Sequence, residues 1–318
     1  MRALLLASAT LALAACGAAD DPDMDVVDAD DAFGEVQADR AADRLATDAD
    51  TTLAEAEDAL DDRRADNARL EELSDDGFCV AAGPQTPRDI SNVAGTNPDS
   101  FRLAPAASEM NLCNIHTHTN AEHKASGFSV SAGTGDYGGF KCNETEDLTE
   151  AELADYDDMD FGKVKPGDTI EVHWVHTSCD IEPGEGLGSC LSDTCTDPLL
   201  RVEAQTFLVV NDRDALDFME FAEVTQRGGY YQAAEIPSGS GTPVMFRGST
   251  TGTSYNDRDV CSPLRVTWNV RPQCQKLDIA SLDAWAESDN VFAETESHGV
   301  RPLVRDERLL SPIGSSGN

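Results

Sequence analysis

The sequence predicts a mainly β domain with minor helix, of α+β class, preceded by an acidic spacer that is disordered or marginally helical. Three observations lead there. From about Gly77 onward the chain breaks into short apolar or alternating runs separated by Gly, Pro, Asn and Asp, the texture of strands joined by turns. Helical periodicity is confined to two brief stretches. Upstream, residues 17–76 hold about a third of the 60 acidic residues in an Ala- and Asp-rich stretch with few aromatics, too little apolar surface to offset ordering entropy.

Taken in order, the chain opens with Met1-Arg2 and an apolar run too short to span a bilayer as a stable helix, the pattern of a signal peptide over residues 1–15. Leu13-Ala14-Ala15-Cys16-Gly17 resembles a bacterial lipobox, which implies lipidation of Cys16 and anchoring to a membrane in the periplasm or at the outer membrane or cell surface. An ordinary small-residue cleavage site is the alternative. In the spacer that follows, Leu45, Leu53, Leu60, Leu70 and Leu73 are too widely spaced to form a continuous apolar stripe.

The folded domain is expected over residues 77–318. Strands are predicted at Phe128–Ser131, Thr169–His176, Arg201–Val210, Thr242–Phe246 and Leu264–Val270, from their β-branched and aromatic content and period-two alternation. Helices are predicted at Thr149–Tyr156 and Ile279–Glu287. The Gly-Gly pairs at 138–139 and 228–229 read as turns, since no strand-to-helix context makes them phosphate loops.

A formal net charge of −37 argues against nucleic acid and against docking by charge on anionic lipid. Setting Cys16 aside, eight of the nine cysteines remain, an even set that suits up to four disulfides in an oxidising compartment. Cys190 and Cys195 form a close pair, but no second pair at matching spacing supports a cysteine zinc site.

Five of the six histidines fall in two segments, Asn114–His123 and Glu171–His176. Residues two apart on a strand share a face, so His116 and His118 point to one side, and Glu171, His173 and Val175 share theirs. Three imidazoles from two adjacent strands, His116, His118 and His173, can therefore bind Zn²⁺ with one position left open for water; cobalt and cadmium also accept imidazole. Asn114 and Glu171 are suitably placed to anchor the outer ring nitrogens. His123 and His176 could replace one of these three ligands, but neither shares their strand face and both are left as structural residues; His298 is expected on a surface loop.

The segment Asn111-Leu-Cys-Asn-Ile-His-Thr-His-Thr-Asn-Ala-Glu-His-Lys124 resembles the signature of the δ-class carbonic anhydrases. Gly248-Ser-Thr-Thr-Gly, Cys261-Ser-Pro and Val266-Thr-Trp268 extend the resemblance, which spans roughly Cys79 to Leu282. The motif order is also similar to that of α-class enzymes, which implies a large, twisted, mostly antiparallel central sheet. It further implies His116, His118 and His173 as zinc ligands, with Glu171 orienting His173 and Asn114 supporting His116. Glu122 matches a glutamate that accepts the hydrogen bond of a gatekeeper threonine; Thr251 is the better match for that threonine and Thr250 the adjacent alternative. The activity implied is reversible hydration of CO₂ to bicarbonate through zinc-bound hydroxide, against a dry wall for which Val175 and Trp268 are candidates. Two other readings share the site: a zinc hydrolase acting on an ester, and a non-catalytic zinc-binding lipoprotein.

Overall fold

The computed structural model describes residues 83–133, 137–156, 161–251 and 261–314. The signal-like segment, Cys16 and the acidic spacer lie outside the described residues. In chain order the strands are β1 (Asn111–Thr119), β2 (Phe128–Ser131), β3 (Phe140–Cys142), β4 (Thr169–Thr177), β5 (Leu200–Val210), β6 (Val224–Arg227), β7 (Tyr230–Ala233), β8 (Val244–Thr250) and β9 (Leu264–Asp278). Among the described residues two α-helices accompany them, α1 (Phe218–Ala222) and α2 (Ile279–Glu287). The architecture is mainly β with minor helix, as the alternation predicts.

A mixed five-stranded sheet, in the order β1-β4-β5-β9-β8, forms the centre. Three of its pairings are antiparallel, and β5 with β9 is parallel. Every residue of β1 and β4 is buried, because this sheet is covered on both faces. On one face Ile170, Val172 and Trp174 of β4 pack with Phe207, Phe218, Leu277, Leu282 and Trp285. On the other, Val175 joins Val202, Ala204, Val266 and Trp268. Each fully buried large apolar side chain contributes about 1.5–3 kcal/mol, so the first face can support the fold while the second carries polar groups.

Strict alternation would put Leu112 on the same face as Asn114 and His116. A bulge between Leu112 and Asn114 prevents this. Leu112 and Ile115, three residues apart, both enter the first core, and the extra residue, Cys113, joins the second. The polar residues Asn114, His116 and His118 thus face away from the helices.

The stretch Thr149–Tyr156 does not form the expected helix. It makes one turn, with Leu153 N–H donating to Thr149 O at 3.1 Å and the Thr149 and Glu152 side chains bonding each other's backbone N–H groups. The chain then leaves the helical path. Asn211 takes the carbonyls that a continuing helix would use, donating from its backbone to Glu152 O (2.9 Å) and from Nδ2 to Ala154 O (3.1 Å). Tertiary partners override a weak local propensity. α2 forms where expected, its first turn capped by the Asp278 carboxylate accepting from Ala280 N–H. β9 runs eight residues past its expected end at Val270, with its pairing to β5 shifting around Pro272, which has no N–H to give. Gly228 and Gly229 both adopt positive φ, 61° and 91°, and close the β6–β7 hairpin as a two-residue turn.

Three disulfides join Cys113 to Cys190, Cys142 to Cys274 and Cys179 to Cys195, and Cys261 is also disulfide-bonded. Cys190 and Cys195 are therefore not metal ligands. The bridges suit an oxidising, exported environment. No helix among the described residues is long and apolar enough to cross a membrane.

Candidate metal centre

The antiparallel register sets His116 directly opposite His173, and His118 opposite Glu171. The ligand-capable atoms of His116, His118 and His173 all lie within 4.8 Å of one another, and all three residues are buried. Each ring has one nitrogen committed to a hydrogen-bond acceptor. His116 Nδ1 meets Asn114 Oδ1 at 2.6 Å, His118 Nδ1 meets the Gly299 carbonyl at 3.1 Å, and His173 Nε2 meets Glu171 Oε1 at 3.0 Å. An acceptor fixes the proton on the nitrogen facing it, so these bonds assign the tautomers. The lone pairs then sit on Nε2 of His116, Nε2 of His118 and Nδ1 of His173.

Two of these lone-pair nitrogens, His173 Nδ1 and His116 Nε2, are 3.2 Å apart. In these tautomers neither donates to the other, and the contact is repulsive unless a cation lies between the rings. The chemistry of the donor set therefore fits a metal ion. Burial foremost, and then the neighbouring His173 and His118, pushes His116 well below its ordinary pKa. Burial likewise lowers His118 to about 3, against an opposing pull from Glu122. Both imidazoles are thus neutral at physiological pH, as ligation requires.

Glu171 does more than orient one ring. Its Oε1 also accepts from His123 Nδ1 at 2.6 Å, and its Oε2 accepts from the backbone N–H of His123 at 3.1 Å. Burial alone would raise its pKa, but His123 and His173 hold the carboxyl well below the usual carboxylate range. Glu122, His123, Glu171 and His173 form a second buried group with ligand-capable atoms in mutual reach, though Glu171 and His123 are bound up in this network and Glu122 Oε1 faces Arg301. His176 points to the opposite side, where its Nδ1 donates to the Trp174 carbonyl at 3.1 Å.

A small cavity with room for about one water is lined by His116, His118, Glu122, His173, Thr250, Thr251, Gly299 and Arg301. Val175 and Trp268, read from the sequence as a wall against CO₂, are buried but absent from that lining. The Trp268 ring instead stands behind the histidines, 5.0 Å from His173 and 4.8 Å from His123 between centroids, with its indole N–H donating to Ser249 O.

A family model described as delta carbonic anhydrase matches residues 107–281, more than half of the chain. The chain belongs to the delta carbonic anhydrase family. No curated protein matches it. Membership in the delta carbonic anhydrase family points to CO₂ hydration, with CO₂ and bicarbonate as substrate and product.

Sequence reading missed one side of this candidate centre in the delta carbonic anhydrase chain. Residues 298–301 run along β1, with Thr119 N–H donating to His298 O and His298 N–H donating to Thr117 O, both at 2.8 Å. That segment delivers the Gly299 carbonyl and Arg301. His298 is half-buried rather than fully exposed: its ring lies 6.1 Å from that of His116 and its Nε2 pairs with Glu294 Oε2 at 2.7 Å. Nothing in the local pattern around Ser297-His298-Gly299 signals such a position.

Proposed function

We propose that this protein is an exported carbonic anhydrase that interconverts CO₂ and bicarbonate, with Zn²⁺ held by His116, His118 and His173; cobalt or cadmium would serve as substitutes. The observation that carries this reading is the convergence of three lone-pair imidazole nitrogens on a cavity of about one water's size. When bound, Zn²⁺ would supply a position for water and lower that water's pKa to about 7, a magnitude known for carbonic anhydrase as a class.

The chain's own residues do the rest. Asn114, the Gly299 carbonyl and Glu171 hold the three rings in the ligating tautomer. Thr251 would donate its hydroxyl proton to the open oxygen of Glu122, so that its own oxygen accepts a hydrogen bond from the attacking water and aims that water's lone pair at CO₂; Thr250 is the adjacent alternative. In support, Glu122 Oε2 is buried without a hydrogen-bond partner among the described residues, and both threonines line the same cavity. Val175 and Trp268 pack behind the ligands and keep bulk water from their rear. The small cavity favours CO₂ over an ester with an acyl chain. Metal sequestration alone would not require the Thr–Glu pair.

Lipidation of Cys16, which would become the mature N-terminus, would hold the enzyme at a membrane surface, a reading supported by the lipobox-like segment and the disulfides. Replacement of Cys16 by Ser should then move the protein from the membrane fraction to the soluble one.

Stopped-flow CO₂ hydration on the full chain, with metal content measured on the same sample, tests the function. About one zinc per chain, with activity lost on chelation and regained with zinc, is the expected result. Zinc without hydration would refute the catalytic reading.

A further inference from the structure

We propose that Arg301 is a positioning residue whose guanidinium, braced by Ser262, clamps one oxygen of Glu122 and so directs the other into the cavity beside Thr250 and Thr251. This rests on the carbonic anhydrase reading above and adds to it a residue outside the histidine motifs.

Arg301 is 8 % exposed, lines the cavity, and is the only Lys or Arg that does so among the described residues. Its two terminal nitrogens serve different partners: Nη1 donates to Ser262 Oγ, and Nη2 lies 3.4 Å from Glu122 Oε1. Glu122 is 1 % exposed, and a carboxylate buried so deeply needs a compensating charge. With Oε1 held, Oε2 lies 3.7 Å from His118 Nδ1, whose proton is directed to Gly299, and has no hydrogen-bond partner among the described residues. An acceptor left unsatisfied in a buried cavity is available to a hydroxyl or water there. A guanidinium fork can hold Ser262 and Glu122 at once, whereas an ammonium is a single point charge.

The test compares R301Q, R301K, E122Q and the R301Q/E122Q double variant of the full chain, reading steady-state CO₂ hydration and zinc affinity by chelator competition. R301Q should lower kcat roughly ten- to hundredfold with KM little changed, as expected when a positioning group is lost. R301K should recover part of that loss. Because Arg301 acts through Glu122, the double variant should be no slower than the worse single variant. Zinc affinity supplies an independent signature: removing a nearby cation should tighten it a few-fold in R301Q, removing a nearby anion should weaken it in E122Q, and the double variant should return towards wild type.

Additive losses in kcat, or a raised KM for bicarbonate in the dehydration direction, would overturn the proposal in favour of direct contact with product. A weakened zinc affinity in both R301Q and R301K would overturn it in favour of a general structural role. If wild type binds zinc but does not hydrate CO₂, the catalytic reading fails alone, and the opposed zinc affinities of R301Q and E122Q still decide whether the two side chains are coupled.

Discussion

Replacing Asn114 with Ala should weaken zinc binding by about ten- to hundredfold without removing any ligand. Asn114 holds His116 Nδ1 through a 2.6 Å hydrogen bond, while its own Nδ2 donates to the Gly184 carbonyl at 3.2 Å, so the amide cannot flip without losing both bonds. The His116 bond exists before and after metal binding. Only the part that strengthens on binding, together with the lost restriction on ring orientation and tautomer, counts towards affinity. A neutral hydrogen bond contributes about 0.5–1.5 kcal/mol and one to a charged partner about 1.5–3, so metallation of the imidazole strengthens the bond by roughly 1 kcal/mol. Freeing the tautomer and ring adds a comparable amount, and about 1.4 kcal/mol is a tenfold change. The assay is competition for zinc against a chromophoric chelator at fixed pH. Asn114→Asp, which keeps an acceptor at the same place, should restore most of the affinity. If Asn114→Ala bound zinc within twofold of wild type, His116 would not depend on this anchor and the tautomer argument for the site would fail.

Other outcomes follow from the same geometry. Ala at His116, His118 or His173 should abolish zinc binding and CO₂ hydration together; retention of stoichiometric zinc in any of the three would remove that residue from the ligand set. Ala at Thr251 should lower turnover by about 10²-fold or more while sparing zinc, the scale seen when an orienting hydrogen-bond group is removed. If Ala at Thr250 did so instead, the gatekeeper would be the neighbouring residue. Joint replacement of Cys113 and Cys190 by Ser opens a bridge between residues 77 apart in sequence, and should cost about 4 kcal/mol in urea unfolding. It should also weaken zinc binding, because Gly184, the partner of Asn114, sits in the loop this bridge ties to β1: Gly184 N–H donates to Cys113 O. Lost stability with unchanged affinity would disconnect that loop from the metal. Burial lowers the pKa of His176 from 6.5 to about 4, so the unfolded chain binds this proton first as pH falls. The neutral buried ring therefore costs no stability above pH 6.5, and stability falls as pH drops from 6.5 towards 4, by about 3 kcal/mol in total. Urea midpoints across this range for wild type and His176→Asn should diverge, with the shallower pH dependence in the variant; parallel curves would contradict the assignment.

Much of the candidate metal centre was readable because strand geometry is local. Period-two alternation is enough to put His116 with His118, and Glu171 with His173, on single faces. The anchors Asn114 and Glu171 lie two residues from the rings they touch, so the same rule finds them. The helix at Ile279–Glu287 was equally accessible: Asp278 caps its start, and the side chains that bond a carbonyl of it, Ser288 and Asn290 on Trp285 O, do so only in its last turn. The stretch from Thr149 to Tyr156 was misread because its single turn is locally favourable, and the carbonyls are claimed by Asn211, 57 residues beyond Ala154.

What the sequence determined by itself is a β-rich domain, two histidine-bearing strands, and the family signature that joins them to carbonic anhydrase chemistry. The tertiary structure decided the pairing of His116 with His173, the bulge at Cys113 that turns Leu112 into the core, and the approach of residues 298–301. Those last residues come from about 180 positions away, as the 181-residue separation of His118 and Gly299 shows. Contacts across such distances leave no periodic trace, because they depend on how the whole sheet and its covering segments close around one another rather than on the order of neighbouring side chains.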